Sequence, residues 1–150
     1  MKTIFALFFL LTIGFLNAQN NPLKVPNFKF PDGKSLSDFG TPGIVLVYGE
    51  SNCPACQQAQ TGLHMRYKKW ATFGYTVVYI ALDEDKPLLT ENFGTPPWPM
   101  YCDEKVWESP WVKALDVYGT PTLFALNNAL EVEYEAKNVG QMDFWIYSLQ

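Results

Sequence analysis

The sequence predicts a single α/β domain, a central mixed β-sheet flanked by helices, and three observations carry that prediction. The 150-residue chain is 48% hydrophobic and only 17% charged, the balance of a polypeptide that buries a core. "GIVLVYG" (residues 43–49) and "YTVVYIALDED" (75–85) are apolar runs on either side of a stretch with helical periodicity. That is a strand–helix–strand unit, whose strands should be parallel and whose crossover should be right-handed. "TPTLFALN" followed by "LEVEYEA" reads as two strands joined by a turn at Asn127 and Asn128, which adds a hairpin to the sheet.

The chain opens with "MKTIFALFFLLTIGFLNAQN", which carries one positive charge at Lys2, an apolar run from Ile4 to Leu16, and small and polar residues around Ala18. Residues 1–18 therefore read as a secretory signal peptide cleaved near Ala18. The run is shorter than the roughly 20 residues a spanning helix needs, which argues against an uncleaved membrane anchor. The mature chain, residues 19–150, is expected to be a secreted or periplasmic domain with no membrane span. Cleavage removes one of the 11 basic residues and none of the 15 acidic ones, so an already acidic chain becomes more so. Such a surface gives a nucleic acid no electrostatic footing.

Taken in order, "NPLKVPNFKFPDGKSLSDFG" is an irregular lead-in rich in proline, glycine and lysine that lays Phe28, Phe30 and Phe39 on the body of the domain. The first strand, 43–49, is bounded by glycines and rich in valine and isoleucine, a buried-strand pattern. A helix follows, with Ala59, Leu63, Tyr67 and Trp70 at helical spacing, Lys68 and Lys69 in its last turn and Gly74 past its end. After the second strand, the prolines of "TPPWPMYCDEKVWESP" forbid a long helix and leave Met100 to Cys102 as a short extended piece. "WVKALDVYG" reads as a short helix ending near Gly119, the hairpin comes next, and "GQMDFWIYSL" closes the domain as a helix with Phe144, Trp145 and Leu149 at helical spacing.

Chemistry concentrates at "CPAC", where Cys53 and Cys56 stand at the start of the first helix. A cysteine attacks only as its thiolate, and a helix N-terminus favours that anion through unpaired N–H groups and the positive end of the macrodipole. Cys53, nearer solvent, is the candidate nucleophile. Cys56 lies one turn deeper, within disulfide reach, and is the candidate resolving thiol. Pro54 suits the first helical turn, because it has no N–H to leave unsatisfied. Two other jobs are open to the pair. A structural staple would close a very small loop and so remove little unfolded-chain entropy. A metal site would need Cys53, Cys56, Cys102 and His64 together, yet along one helix His64 lies about 16 Å beyond Cys53.

A second element follows at "YGTPTLF", where Thr120 and Pro121 directly precede an apolar strand. The ordered set of buried strand, "CPAC" at a helix start, strand, "GTPT" leading into a strand, hairpin partner and closing helix resembles the thioredoxin superfamily over residues 43–150. The lead-in "VPNFKFPDGKSLSDF" is similar to the opening of the exported TlpA- and ResA-like thiol-disulfide oxidoreductases. The resemblance implies a thioredoxin fold, a cis bond at Thr120–Pro121 facing the cysteines, and substrate docking on Pro54, Ala55, Thr120 and Pro121. It implies thiol–disulfide exchange with protein thiols or disulfides in the exported compartment, in the reducing direction, with an upstream redox partner. Since the electrons sit on sulfur, no organic cofactor is required, and a monomer suffices. A redox-inactive thioredoxin-like binding module with a permanent disulfide is the alternative from another class.

The chain departs from the usual pattern in two places. Asn52 stands where tryptophan usually precedes the first cysteine, and Val47 where thioredoxin has a buried aspartate. The proton of Cys56 must therefore go elsewhere. The resemblance puts forward Glu84, in "IALDEDK", and Glu50, three residues before Cys53, is a second candidate. The plainer alternative is that Asp83, Glu84 and Asp85 form a solvated acidic turn. Cys102 is either a small buried hydrophobe or a third redox cysteine, the odd thiol in an exported chain. Trp98, Tyr101, Trp107, Trp111 and Tyr118 are expected to be core and loop anchors more than the walls of a groove.

Overall fold

The computed structural model describes residues 21–40 and 42–150, so the expected signal peptide lies outside the described residues. Five strands form one sheet: β1 (Gly43–Gly49), β2 (Tyr75–Ala81), β3 (Met100–Tyr101), β4 (Thr122–Asn127) and β5 (Val132–Ala136), in the order β3-β2-β1-β4-β5. β1 runs parallel to β2 and antiparallel to β4; β2 and β3 are parallel, β4 and β5 antiparallel. The sheet is therefore mixed. Its central strand β1 is buried at all seven positions, which is why its sequence is a continuous apolar run without polar alternation.

Alternate residues of β1 feed two cores. Val45 and Val47 pack with Ala59, Leu63 and Trp70 of helix α1 (Pro54–Thr72) and with Met142 and Ile146 of helix α4 (Val139–Ser148). Ile44, Leu46 and Tyr48 face the other way, onto Val25, Phe28 and Phe30 of the lead-in and onto Trp111 and Val112 of the short helix α3 (Pro110–Lys113). The lead-in is held by backbone bonds, Val25 N–H to Leu130 O at 2.8 Å and Val132 N–H to Leu23 O at 2.8 Å. Phe30 stacks on Tyr101 with ring centroids 3.8 Å apart, and Phe39 is half-buried beside them.

Helix α1 is N-capped by Cys53 and followed, after Phe73, by Gly74, whose φ of 88° suits glycine and where a side chain would run into Pro42. Three elements differ from expectation. Helix α2 (Lys86–Phe93) occupies a stretch for which the sequence predicted no element, and its signals are local: the Asp85 carboxylate accepts from Leu88 N–H at 3.1 Å, Pro87 sits in the first turn, and Gly94 terminates it at φ 64°. Helix α3 has only four residues, because the chain turns through Asp116 at φ 47° instead of continuing to Gly119. In α4 the buried stripe is Val139, Met142 and Ile146, at spacings of three and four, whereas Phe144 is 79% exposed and Leu149 lies past the helix end. Ring size misdirected that reading; Trp145 is half-buried and stacks on Tyr134 of β5.

Candidate active site

The loop from β1 to α1 is Glu50-Ser51-Asn52, and a buried carboxylate fixes it. Asp83, just past β2, accepts from Ser51 N–H at 3.1 and 3.2 Å and from the Ser51 hydroxyl at 2.5 Å. Asn92 of α2 donates to the Ser51 hydroxyl at 3.2 Å, and Gln57 of α1 donates to Ser51 O at 3.0 Å. One acid therefore stitches together the ends of β1, α1, β2 and α2 immediately before the cysteines. The run 83–85 is thus not one solvated turn: Asp83 is buried, Asp85 caps α2, and Glu84 alone is left exposed with no side-chain hydrogen bond among the described residues.

Cys53 is the N-cap of α1, and its half-buried sulfur accepts from Cys56 N–H at 3.3 Å. Burial opposes the charge on this sulfur, but hydrogen bonds from the Cys56 thiol and amide and from the Ala55 amide outweigh it and bring the thiol below its ordinary value. Cys56 is fully buried, and desolvation first, with Cys53 second, pushes it up to about 12. The two thiols thus have opposite characters one helical turn apart. Below its folded pKa each thiol is neutral and unreactive, so a lowered value extends reactivity to lower pH. Iodoacetamide should label Cys53 of the reduced protein with a midpoint below the roughly 8.5 of an unstructured cysteine, while Cys56 stays unlabelled throughout the neutral range. Equal labelling of both positions at neutral pH would contradict the asymmetry.

The Thr120–Pro121 bond is cis and faces this pair. The Thr120 carbonyl lies 3.9 Å from Cys53 Sγ, and the Thr120 hydroxyl donates to Glu50 Oε1 at 3.3 Å. Pro54 and Ala55 are exposed, and Ala55 and Pro121 line one cleft together with Ala59, Gly62 and Val139. Glu50 and Glu84 line a second cavity with Asn52 and Asp83. The structure therefore brings together Cys53, Cys56, Ala55, Thr120, Pro121 and Glu50, with Glu84 on an outer rim.

Cys102 stands apart. It is buried behind Asp83 and donates to the Asp83 carbonyl at 3.1 Å, with burial chiefly raising its pKa. His64 packs at a tilt against Trp98 with centroids 4.7 Å apart, and among the described residues no group of three His, Cys, Asp or Glu side chains is arranged to hold a metal ion. Of the aromatics, Trp98 and Trp111 are buried and Tyr101 half-buried, while Tyr118 and Trp107 are exposed at one end. Sequence reasoning passed over Ser51 and Asn92 as structural partners and over Gln60 and Tyr79, which are buried near Cys56. For Gln60 the signal was present: a polar residue four after Cys56, on the stripe that otherwise reads Ala59, Leu63 and Trp70.

The chain has a thioredoxin fold, and its structural neighbours are thioredoxin-like thiol-disulfide oxidoreductases. A protein described as a thiol:disulfide interchange protein DsbE from Chlorobium tepidum superimposes with a TM-score of 0.72 at 20% identity, over 85% of this chain and 95% of that one. A thiol-disulfide oxidoreductase from Bacteroides fragilis gives 0.72 at 19% identity, over 85% and 99%. A thioredoxin-like protein from Bacteroides vulgatus gives 0.68 at 22%, over 85% and 86%. In sequence, no family model and no curated protein matches the chain.

Proposed function

We propose that the protein is a thiol–disulfide oxidoreductase acting on exported proteins, with Cys53 as nucleophile and Cys56 as resolving thiol, working as a reductase. The observation that carries this reading is the asymmetry of the pair: a half-exposed sulfur whose charge is stabilised at a helix cap, beside a buried sulfur whose charge is not. The Cys53 thiolate attacks a substrate disulfide, forming a Cys53–substrate bond while the displaced substrate sulfur leaves with the electron pair. Cys56, losing its proton, then attacks Cys53 and releases the second substrate sulfur as a thiolate. The substrate gains two electrons and the chain keeps the Cys53–Cys56 disulfide.

Pro54, Ala55, Thr120 and Pro121 surround Cys53 and form the docking surface, on which the backbone of Thr120 would meet an extended substrate segment. Of the two acids suggested as proton acceptors, Glu50 is the one tied by hydrogen bonding to this surface, through Thr120. Glu84 lies on the rim of the same cavity, exposed. Export rests on the apolar N-terminal run, and no described helix is long and apolar enough to cross a membrane. Equilibration with glutathione buffers should show a reversible two-electron transition within the range of about −270 to −120 mV spanned by catalytic dithiols. A bond resisting reduction over that whole range would identify the permanent disulfide of a binding module instead. A potential at the reducing end supports the reductase direction.

A further inference from the structure

Two neighbouring side chains behind the cysteine pair carry buried polar atoms that no well-formed hydrogen bond satisfies. The Tyr79 hydroxyl and both ends of the Gln60 carboxamide are buried without a well-formed hydrogen bond among the described residues, and the two side chains stand close enough for the carboxamide to act on the phenol. Leaving such atoms unpaired costs more than making the bond would have gained, so native proteins place water on them. Their location is specific. Tyr79 stands opposite Val47 in the β1–β2 register, and its hydroxyl reaches over Gly49, so that a side chain at Gly49 would strike that hydroxyl and also lie 3.4 Å from Cys56 Sγ. Gln60 lies one turn beyond Cys56 on the same face of α1. It also lines a surface cleft with Gln57, Thr61, His64, Asn92 and Phe93, and the Phe93 ring packs edge-on against Tyr79 at 5.9 Å. The unpaired atoms thus lie between a buried thiol and a polar opening to solvent.

We propose that Tyr79 and Gln60 are positioning residues that hold water against Cys56 and so provide the route by which its proton leaves during resolution. The inference rests on the thiol–disulfide reading above. In the resolving step the Cys56 S–H bond breaks and its proton passes to water hydrogen-bonded by the Gln60 carbonyl, then outward through the cleft. The Cys56 electron pair forms the bond to Cys53, and the Cys53–substrate bond breaks with its pair leaving on the substrate thiolate. Burial first, and the neighbouring Cys56 charge second, outweigh the opposing influence of the Gln60 carboxamide and keep the Tyr79 phenol protonated, so it acts as a donor to the developing thiolate and not as a base. Of the other titratable groups facing the pair, Asp83 is bonded to Ser51, Glu50 accepts from Thr120 on the docking side of the pair, and Cys53 accepts from the Cys56 amide. His64 belongs to the outer cleft, packed against Trp98. With valine at position 47, no acid on β1 takes the proton directly.

The test isolates resolution from attack. Reaction of the reduced protein with an aromatic disulfide that yields coloured thionitrobenzoate gives one release as Cys53 attacks and a second as Cys56 resolves, each measured against pH. Tyr79→Phe and Gln60→Met should move the midpoint of the second release to higher pH by about one unit, a tenfold slowing at neutral pH, and leave the first release where it was. Second-release profiles that overlay the wild type in both variants would overturn the inference while leaving the oxidoreductase reading intact. A wild-type protein that never gives the second release overturns both. Tyr79→Phe keeps the ring and its packing, so it decides the question alone if Gln60→Met does not fold.

Discussion

The Cys53→Ser chain should reduce a protein disulfide no faster than buffer does, and yet unfold at the same denaturant concentration as the reduced parent. The two halves of this expectation come from the two jobs proposed for one atom. As a nucleophile the sulfur has no substitute, since a serine hydroxyl is not ionised near neutrality and lacks the thiolate's reactivity. As an N-cap it has a good one: Cys53 accepts from Cys56 N–H at 3.3 Å, and serine is among the preferred residues for that position. Stability should therefore change by no more than about 0.5 kcal/mol. Cys56→Ser should behave differently, because Cys53 still attacks but nothing displaces the substrate. It should accumulate one substrate molecule per chain in a dithiol-sensitive adduct. A Cys53→Ser chain that retains exchange activity, or a Cys56→Ser chain that carries no adduct, would sink the assignment of roles.

Most of this architecture was legible because it depends on local signals. The apolar run 43–49, the 59/63/67/70 spacing and the glycine at 74 each specify one element without reference to anything distant. The candidate site could be marked out for the same reason: both cysteines sit in one short motif, and "GTPT" gives the loop that the structure places against it. What escaped depended on three-dimensional company. Nothing in "LDEDK" distinguishes Asp83, which is buried and bonded to Ser51, from Glu84, which is exposed, because the difference is set by a loop 32 residues earlier. Likewise α4 buries Met142 and Ile146 in preference to Phe144, since the face it turns inward is fixed by where α1 lies. Tyr79 looked like one more apolar strand residue, and only its neighbours Gly49 and Cys56 give its hydroxyl a context.

Trp70→Ala should lower the unfolding free energy by about 3–5 kcal/mol. Trp70 is fully buried near the C-terminal end of α1 and packs in the core shared by Leu63, Tyr75, Val77, Met142 and Ile146. Its indole N–H also donates to Asp143 of α4 at 2.8 Å, and Asp143 in turn pairs with Arg66 of α1 at 2.9 Å. Truncation removes the packing of a large side chain, leaves a cavity between the two helices, and strips one donor from a partly buried carboxylate. Set against the 5–15 kcal/mol typical of a whole domain, that loss takes a large share of the total. Trp70→Phe separates the contributions: most of the apolar contact survives, Arg66 still satisfies Asp143, and the cost should fall to about 1 kcal/mol, the worth of one hydrogen bond. Urea unfolding of the reduced proteins measures both, and a Trp70→Ala cost below that of Trp70→Phe would show that the indole does not anchor α4. Because Trp70 lies about 25 Å along α1 from Cys53, the folded fraction of either variant should keep the parental Cys53 labelling profile.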